Sequence, residues 1–255
     1  MTSLEVPTSQ GLALIDWSPA TGAGPGPAVA GATGPFVMAL THGAGGTVNA
    51  PDLRAARDAA LALGGGVALV TQPYRVRGAR APGNADRQDE AWTEIMTWLR
   101  SPDGALPCEP HTPREPHAPH KTHEARTPHQ SCESQRSLIV GGRSNGARVA
   151  CRTAAAVGAL GVLAMAFPLQ PPARRTRGSE ATFPPDRSPE LEMAARGGAH
   201  VLVLNGDRDP FGIPAASGMI RVNALNGETH SLSKKPAAVT AAVAKWLADL
   251  ALPAA

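Results

Sequence analysis

The sequence predicts an α/β fold: a mostly parallel central sheet with helices on both faces. Short apolar runs at 36–40, 67–71, 137–140, 162–166 and 201–204 have the length and β-branched content of fully buried strands. Helical patterns at 50–63, 86–99, 147–157, 188–196 and 236–250 fall between and after them. Such alternation joins parallel strands through helices that cover the sheet from both sides. A chain of 255 residues suits one large core, read here as a single domain over 1–255.

The chain opens with alternating character over 4–17, which fits antiparallel edge strands. The run at 36–40 enters Thr41-His42-Gly43-Ala44-Gly45-Gly46, a glycine-rich turn that lacks the third glycine of a dinucleotide fingerprint. After the 67–71 strand come Tyr74, the only tyrosine, and Arg75. Trp92 and Trp98 on the 86–99 helix read as core packing. The segment 102–136 is a loose Pro-His quasi-repeat without apolar periodicity, expected to be a disordered insertion. Its pairs Cys108/His111, His117/His120/His123 and His129/Cys132 have metal-ligand spacing. Pro116, Pro119 and Pro128 break the helix that would align them, so no metal site is expected. The apolar run 154–167 is too short to span a bilayer. A polar loop, 171–189, follows the 162–166 strand, and the last helix carries Ala242, Val243, Trp246, Leu247 and Leu250 on one face.

Composition narrows the function. The net charge is +3 and aromatics are 4% of residues, and Arg174-Arg175-Thr176-Arg177 is too sparse for a nucleic-acid stripe. Three cysteines make no disulfide framework, and the N-terminus lacks a basic n-region and an apolar h-region. The expected location is the cytoplasm, with no membrane and no nucleic-acid partner.

Chemistry concentrates at Gly141-Gly142-Arg143-Ser144-Asn145-Gly146-Ala147. An apolar strand enters Gly-x-Ser-x-Gly and a helix leaves it, the context of a nucleophile elbow. A serine hydroxyl needs a base, and the base needs an orienting carboxylate. After Ser144, the 201–204 strand ends in Asn205-Gly206-Asp207-Arg208-Asp209-Pro210. Asp209 is favoured as the acid and Asp207 is the alternative. His230 is the only histidine after both the serine and the acid, just before the final helix, and is read as the base. The oxyanion donors are read as the amides of Asn145 and Ala44. His42, which precedes the serine, is read as bracing its own loop. Tyr74, Arg75 and Arg143 form a candidate substrate-binding set, since arginine takes carboxylates bidentately.

Together these stretches, with Gln72-Pro73-Tyr74-Arg75-Val76 and Thr229-His230-Ser231-Leu232, resemble the α/β-hydrolase superfamily. Within it they are similar to the dienelactone-hydrolase-like branch, and closer to bacterial relatives of the testis-expressed and chromatin-complex hydrolase-like proteins. The resemblance implies an α/β-hydrolase fold and a Ser144–Asp209–His230 triad. Dienelactone hydrolase itself uses a cysteine nucleophile, so its particular chemistry is not implied. Relatives tend to carry histidine in place of Gln170. The loop at 171–189 stands where many hydrolases insert a lid, but it is short and polar, so no substantial lid domain is expected. The reading is a carboxylesterase- or dienelactone-hydrolase-like serine hydrolase for a small ester, lactone or thioester, needing no metal or organic cofactor. The alternative is a hydrolase-fold binding or regulatory protein, although the sequence indicates no protein partner.

Overall fold

The computed structural model describes residues 2–20, 36–101, 137–170 and 184–250. The expected insertion at 102–136, and the loop expected at 171–189 as far as residue 183, lie outside the described residues. The strands are β1 (Thr2–Thr8), β2 (Gly11–Ser18), β3 (Phe36–Thr41), β4 (Gly66–Thr71), β5 (Ser137–Arg143), β6 (Gly161–Met165), β7 (His200–Gly206) and β8 (Ile220–Leu225). The helices are α1 (Pro51–Ala62), α2 (Pro73–Val76), α3 (Ala85–Arg100), α4 (Asn145–Thr153), α5 (Ser188–Arg196) and α6 (Pro236–Asp249).

The strands form one eight-stranded sheet in the order β1-β2-β4-β3-β5-β6-β7-β8. Only β2 runs against the rest, pairing antiparallel with β1 and with β4. The chain leaves β3 toward β4 on one side, and the strands from β5 onward build the other side. Loops after β3 and β5 therefore diverge at a topological switch point, where α/β sheets bind ligands.

Side chains alternate across each strand. Phe36, Met38 and Leu40 join Leu53 and Ala56 of α1 and Val239, Val243 and Trp246 of α6 in one buried layer. Val37, Ala39 and Val140 face the other way, onto Trp92, Ile95 and Leu99 of α3, Val149 of α4 and Leu191 of α5. This is the expected α/β-hydrolase architecture. Cys151 of α4 is fully buried, and burial pushes its thiol well above the ordinary range.

Three elements depart from the sequence reading, the first being the four-residue helix α2, too short to show a periodicity. β8 lacks an apolar run because it is an edge strand: only Ile220 and Leu225 are buried. The helix expected at 147–157 begins earlier and ends earlier, because β5 continues to Arg143 and the chain turns at a single residue into α4. No helix among the described residues is long and apolar enough to cross a membrane.

Candidate active site

The turn between β5 and α4 is Ser144 alone, with φ 53° and ψ −110°. A non-glycine residue avoids this conformation unless its surroundings impose it. Here they do. A Cβ on Gly142 would lie 2.6 Å from the Thr41 carbonyl oxygen, and one on Gly146 would lie 2.7 Å from the carbonyl oxygens of both Thr41 and His42. Only hydrogen fits at either position, so the two glycines let α4 close onto β3. The Ser144 amide donates to the Met165 carbonyl at 2.8 Å, which carries the β5–β6 pairing onto the serine itself.

The other two candidate side chains reach Ser144 from distant loops. His230 Nε2 lies 3.0 Å from Ser144 Oγ, and His230 Nδ1 lies 2.9 Å from Asp209 Oδ2. The carboxylate can only accept, so Nδ1 holds the proton and Nε2 is left to accept the serine's. Asp209 Oδ1 also accepts the Phe211 amide at 2.9 Å, and its side chain is fully buried. The Phe211 ring flanks the imidazole at 4.6 Å between centroids. Asp207 is engaged elsewhere: its Oδ1 accepts the Gly227 amide at 2.7 Å. Buried Glu228 accepts the Lys235 amide, which anchors the His230 loop to the start of α6.

Asn145 follows the serine, and Ala44 follows Gly43 in the glycine-rich turn. Asn145 opens α4, where first-turn amides lack helical partners. Its side chain donates to Gln88 Oε1 at 2.6 Å. A Cβ on Gly43 would lie 3.4 Å from the Ser144 Cβ, so the glycine-rich loop passes directly beside the nucleophile candidate. His42 is fully buried and braces this loop: its Nε2 accepts the Gln72 amide at 3.1 Å and its Nδ1 donates to the Gly43 carbonyl at 2.9 Å. Burial lowers the His42 pKa, which keeps the ring neutral in that tautomer. The same carbonyl accepts the Gly46 amide at 3.0 Å. Two donors thus fix the Gly43–Ala44 peptide plane, and the Ala44 amide points opposite to its carbonyl.

Tyr74, Arg75 and Arg143 lie around this edge but already have partners. The Tyr74 hydroxyl donates to the Ala44 carbonyl at 2.9 Å, and burial pushes its pKa up to about 12. Arg75 donates to the Gly46 and Ala79 carbonyls at 3.2 and 2.9 Å. Arg143 Nη2 donates to the His230 carbonyl at 3.0 Å, and Arg143 Nε lies 3.0 Å from Asp52 Oδ2. The Nε contact is off the hydrogen-bond line, so it is a charge contact and leaves both atoms without another partner. These groups hold backbone, a role the sequence reading did not assign them. It missed Asp52, Gln88 and Phe211 altogether. Among the described residues, no group of three or more His, Cys, Asp or Glu comes together to hold a metal.

Residues 111–240 match the family described as "Alpha/beta hydrolase domain". No curated protein matches the chain. Among solved structures, an α/β serine hydrolase without lid from Xanthomonas campestris is 18% identical and superposes with a TM-score of 0.64, covering 100% of this chain and 96% of that one. Est1E from Butyrivibrio proteoclasticus is 10% identical, with a TM-score of 0.62 and coverage of 98% and 99%. A dienelactone hydrolase from Anabaena variabilis is 15% identical, with a TM-score of 0.59 and coverage of 98% and 95%.

Proposed function

The chain belongs to the alpha/beta hydrolase domain family, and within it we propose that this protein is a serine hydrolase of a small carboxylic ester, lactone or thioester. The observation that carries the reading is the continuous contact Ser144 Oγ to His230 Nε2 to His230 Nδ1 to Asp209 Oδ2, at 3.0 and 2.9 Å. Such a relay serves acyl transfer. Ser144 attacks the carbonyl carbon as its proton passes to His230. Asp209 holds the tautomer and offsets the charge on the imidazolium. The oxyanion forms against the amides of Ala44 and Asn145. His230 returns the proton to the leaving alcohol or thiol, and water then repeats the sequence to free the acid. All of this uses the chain's own groups. The substrate is a small molecule, and the protein acts in the cytoplasm.

The test is labelling with a fluorophosphonate probe, followed by a screen of activated esters, thioesters and lactones. The wild-type protein becomes labelled at Ser144 and turns over part of the panel, while Ser144→Ala does neither. A folded wild-type protein that is neither labelled nor active favours the binding-protein alternative.

A further inference from the structure

Asp52 is the fully buried carboxylate of α1's first turn, nine residues after Gly43, where the turn from β3 passes the serine. Its Oδ1 accepts the Leu53 amide at 3.0 Å, and its Oδ2 faces Arg143 Nε at 3.0 Å. Arg143 immediately precedes Ser144, and its Nη2 grips the carbonyl of His230 at 3.0 Å. One guanidinium therefore joins the start of α1, the residue before the nucleophile and the backbone of the base. A salt bridge placed only for stability is poorly served here, because removing a carboxylate from water costs several kcal/mol per ion.

We propose that ionised Asp52 is a positioning residue, which holds Arg143 so that Arg143 holds the His230 backbone, and with it the imidazole, in line with Ser144. This deepens the hydrolase reading and rests on it. Protonated Asp52 loses its charge attraction for Arg143 and releases the clamp. On the elements packed against α1, β3 and β4 carry no charged side chain, β5 carries Arg143, and α6 carries Lys245 and Asp249, which pair with each other at 3.3 Å. The His230 loop adds Glu228, His230, Lys234 and Lys235, and α1 itself adds Arg54, Arg57 and Asp58. Of these, Arg143 and His230 are the charges that act on the Asp52 carboxyl.

Burial, only partly offset by Arg143, pushes Asp52 up to about 6 from the ordinary 3.8. A raised folded-state pKa means the folded chain binds this proton more tightly than the unfolded chain. The stability from this group is fully present below the ordinary value and is lost as pH rises through about 6. Acidification through this window thus switches the clamp off while Asp52's own contribution to stability grows, so protonating Asp52 does not itself drive unfolding there.

The experiment is the pH profile of kcat for wild-type protein and Asp52→Asn, with p-nitrophenyl acetate as probe. In wild type two groups must be unprotonated, so the acid limb steepens toward two protons below about pH 6. Asp52→Asn shows one proton throughout and a kcat lower by roughly tenfold to hundredfold, with little change in KM. A one-proton limb in wild type overturns the proposal, and needs no variant to fold. So does an Asp52→Asn protein with wild-type kcat. A second arm follows the His230 Cε1–H signal by NMR, assigned with His230→Gln. The Asp52 proton adds a component near pH 6 to that signal in wild type, and Asp52→Asn lacks it. Identical titrations overturn the proposal. This arm reads the coupling even if no ester is turned over, which separates its failure from failure of the hydrolase reading.

Discussion

At the elbow, contact distances for an added carbon on Gly142 or Gly146 fall to 2.6–2.8 Å, so close packing and the backbone bond to Met165 place Ser144. At the far side of the site the backbone is packed as closely, with a Cβ on Gly206 falling 2.3 Å from the Glu228 carbonyl oxygen, but there individual side-chain hydrogen bonds add to the placing. Asp207 holds Gly227, Glu228 holds Lys235, Asp209 holds Phe211 and His230, and Arg143 holds the His230 carbonyl. The lesson is that close backbone packing fixes both sides, and that the proton relay depends in addition on polar groups that can be removed one at a time.

The largest expected effect tests the polar side. Asp209→Asn keeps the shape but presents an amide to His230 Nδ1, so the imidazole can take the wrong tautomer. We expect kcat to fall about ten-thousandfold with the near-ultraviolet circular dichroism unchanged. A loss smaller than tenfold would mean that the carboxylate only shapes its loop. Next comes the steric side. Gly146→Ala must push α4 off the carbonyls of Thr41 and His42. Overpacking of this kind costs about 1–3 kcal/mol, read by urea unfolding, and a displaced serine costs roughly a hundredfold in kcat. Full activity would show that the elbow yields more readily than its contacts imply. The smallest effect separates the two acids. Asp207→Ala removes the bond to Gly227 and costs about 0.5–1.5 kcal/mol, with kcat far less affected than in Asp209→Asn. Equal losses of kcat would return Asp207 to contention as the orienting acid.

The same contrast explains what could be read from the residues alone. The elbow was legible because everything it needs is local: an apolar strand, two glycines around the serine, then a helix. The buried strands were legible for the same reason. Asp209 was favoured over Asp207, but the choice stayed open, since they share one turn and only the partner loop, through Gly227, decides which faces His230. Asp52 was hidden because an aspartate in a first helical turn looks like an ordinary response to the helix dipole. Its purpose depends on Arg143, ninety-one positions away. Arg143, Arg75 and Tyr74 were read as facing a ligand because the topology brings them to the right edge. Which hydrogen bonds they spend on neighbouring carbonyls is a three-dimensional fact with no local signature. β8 escaped because an edge strand need bury only one side.

The bond from the Ser144 amide to the Met165 carbonyl makes the reactive centre the last rung of a sheet rather than a passenger on a loop. An incoming acyl group therefore strikes a fixed post, and cannot be accommodated by moving it. Any retuning toward bulkier or more polar compounds has to come from the segments around that post: the glycine turn, the chain after Met165 and the bend at Phe211. Selectivity can then drift through those segments over generations while the bond-making step stays as it is.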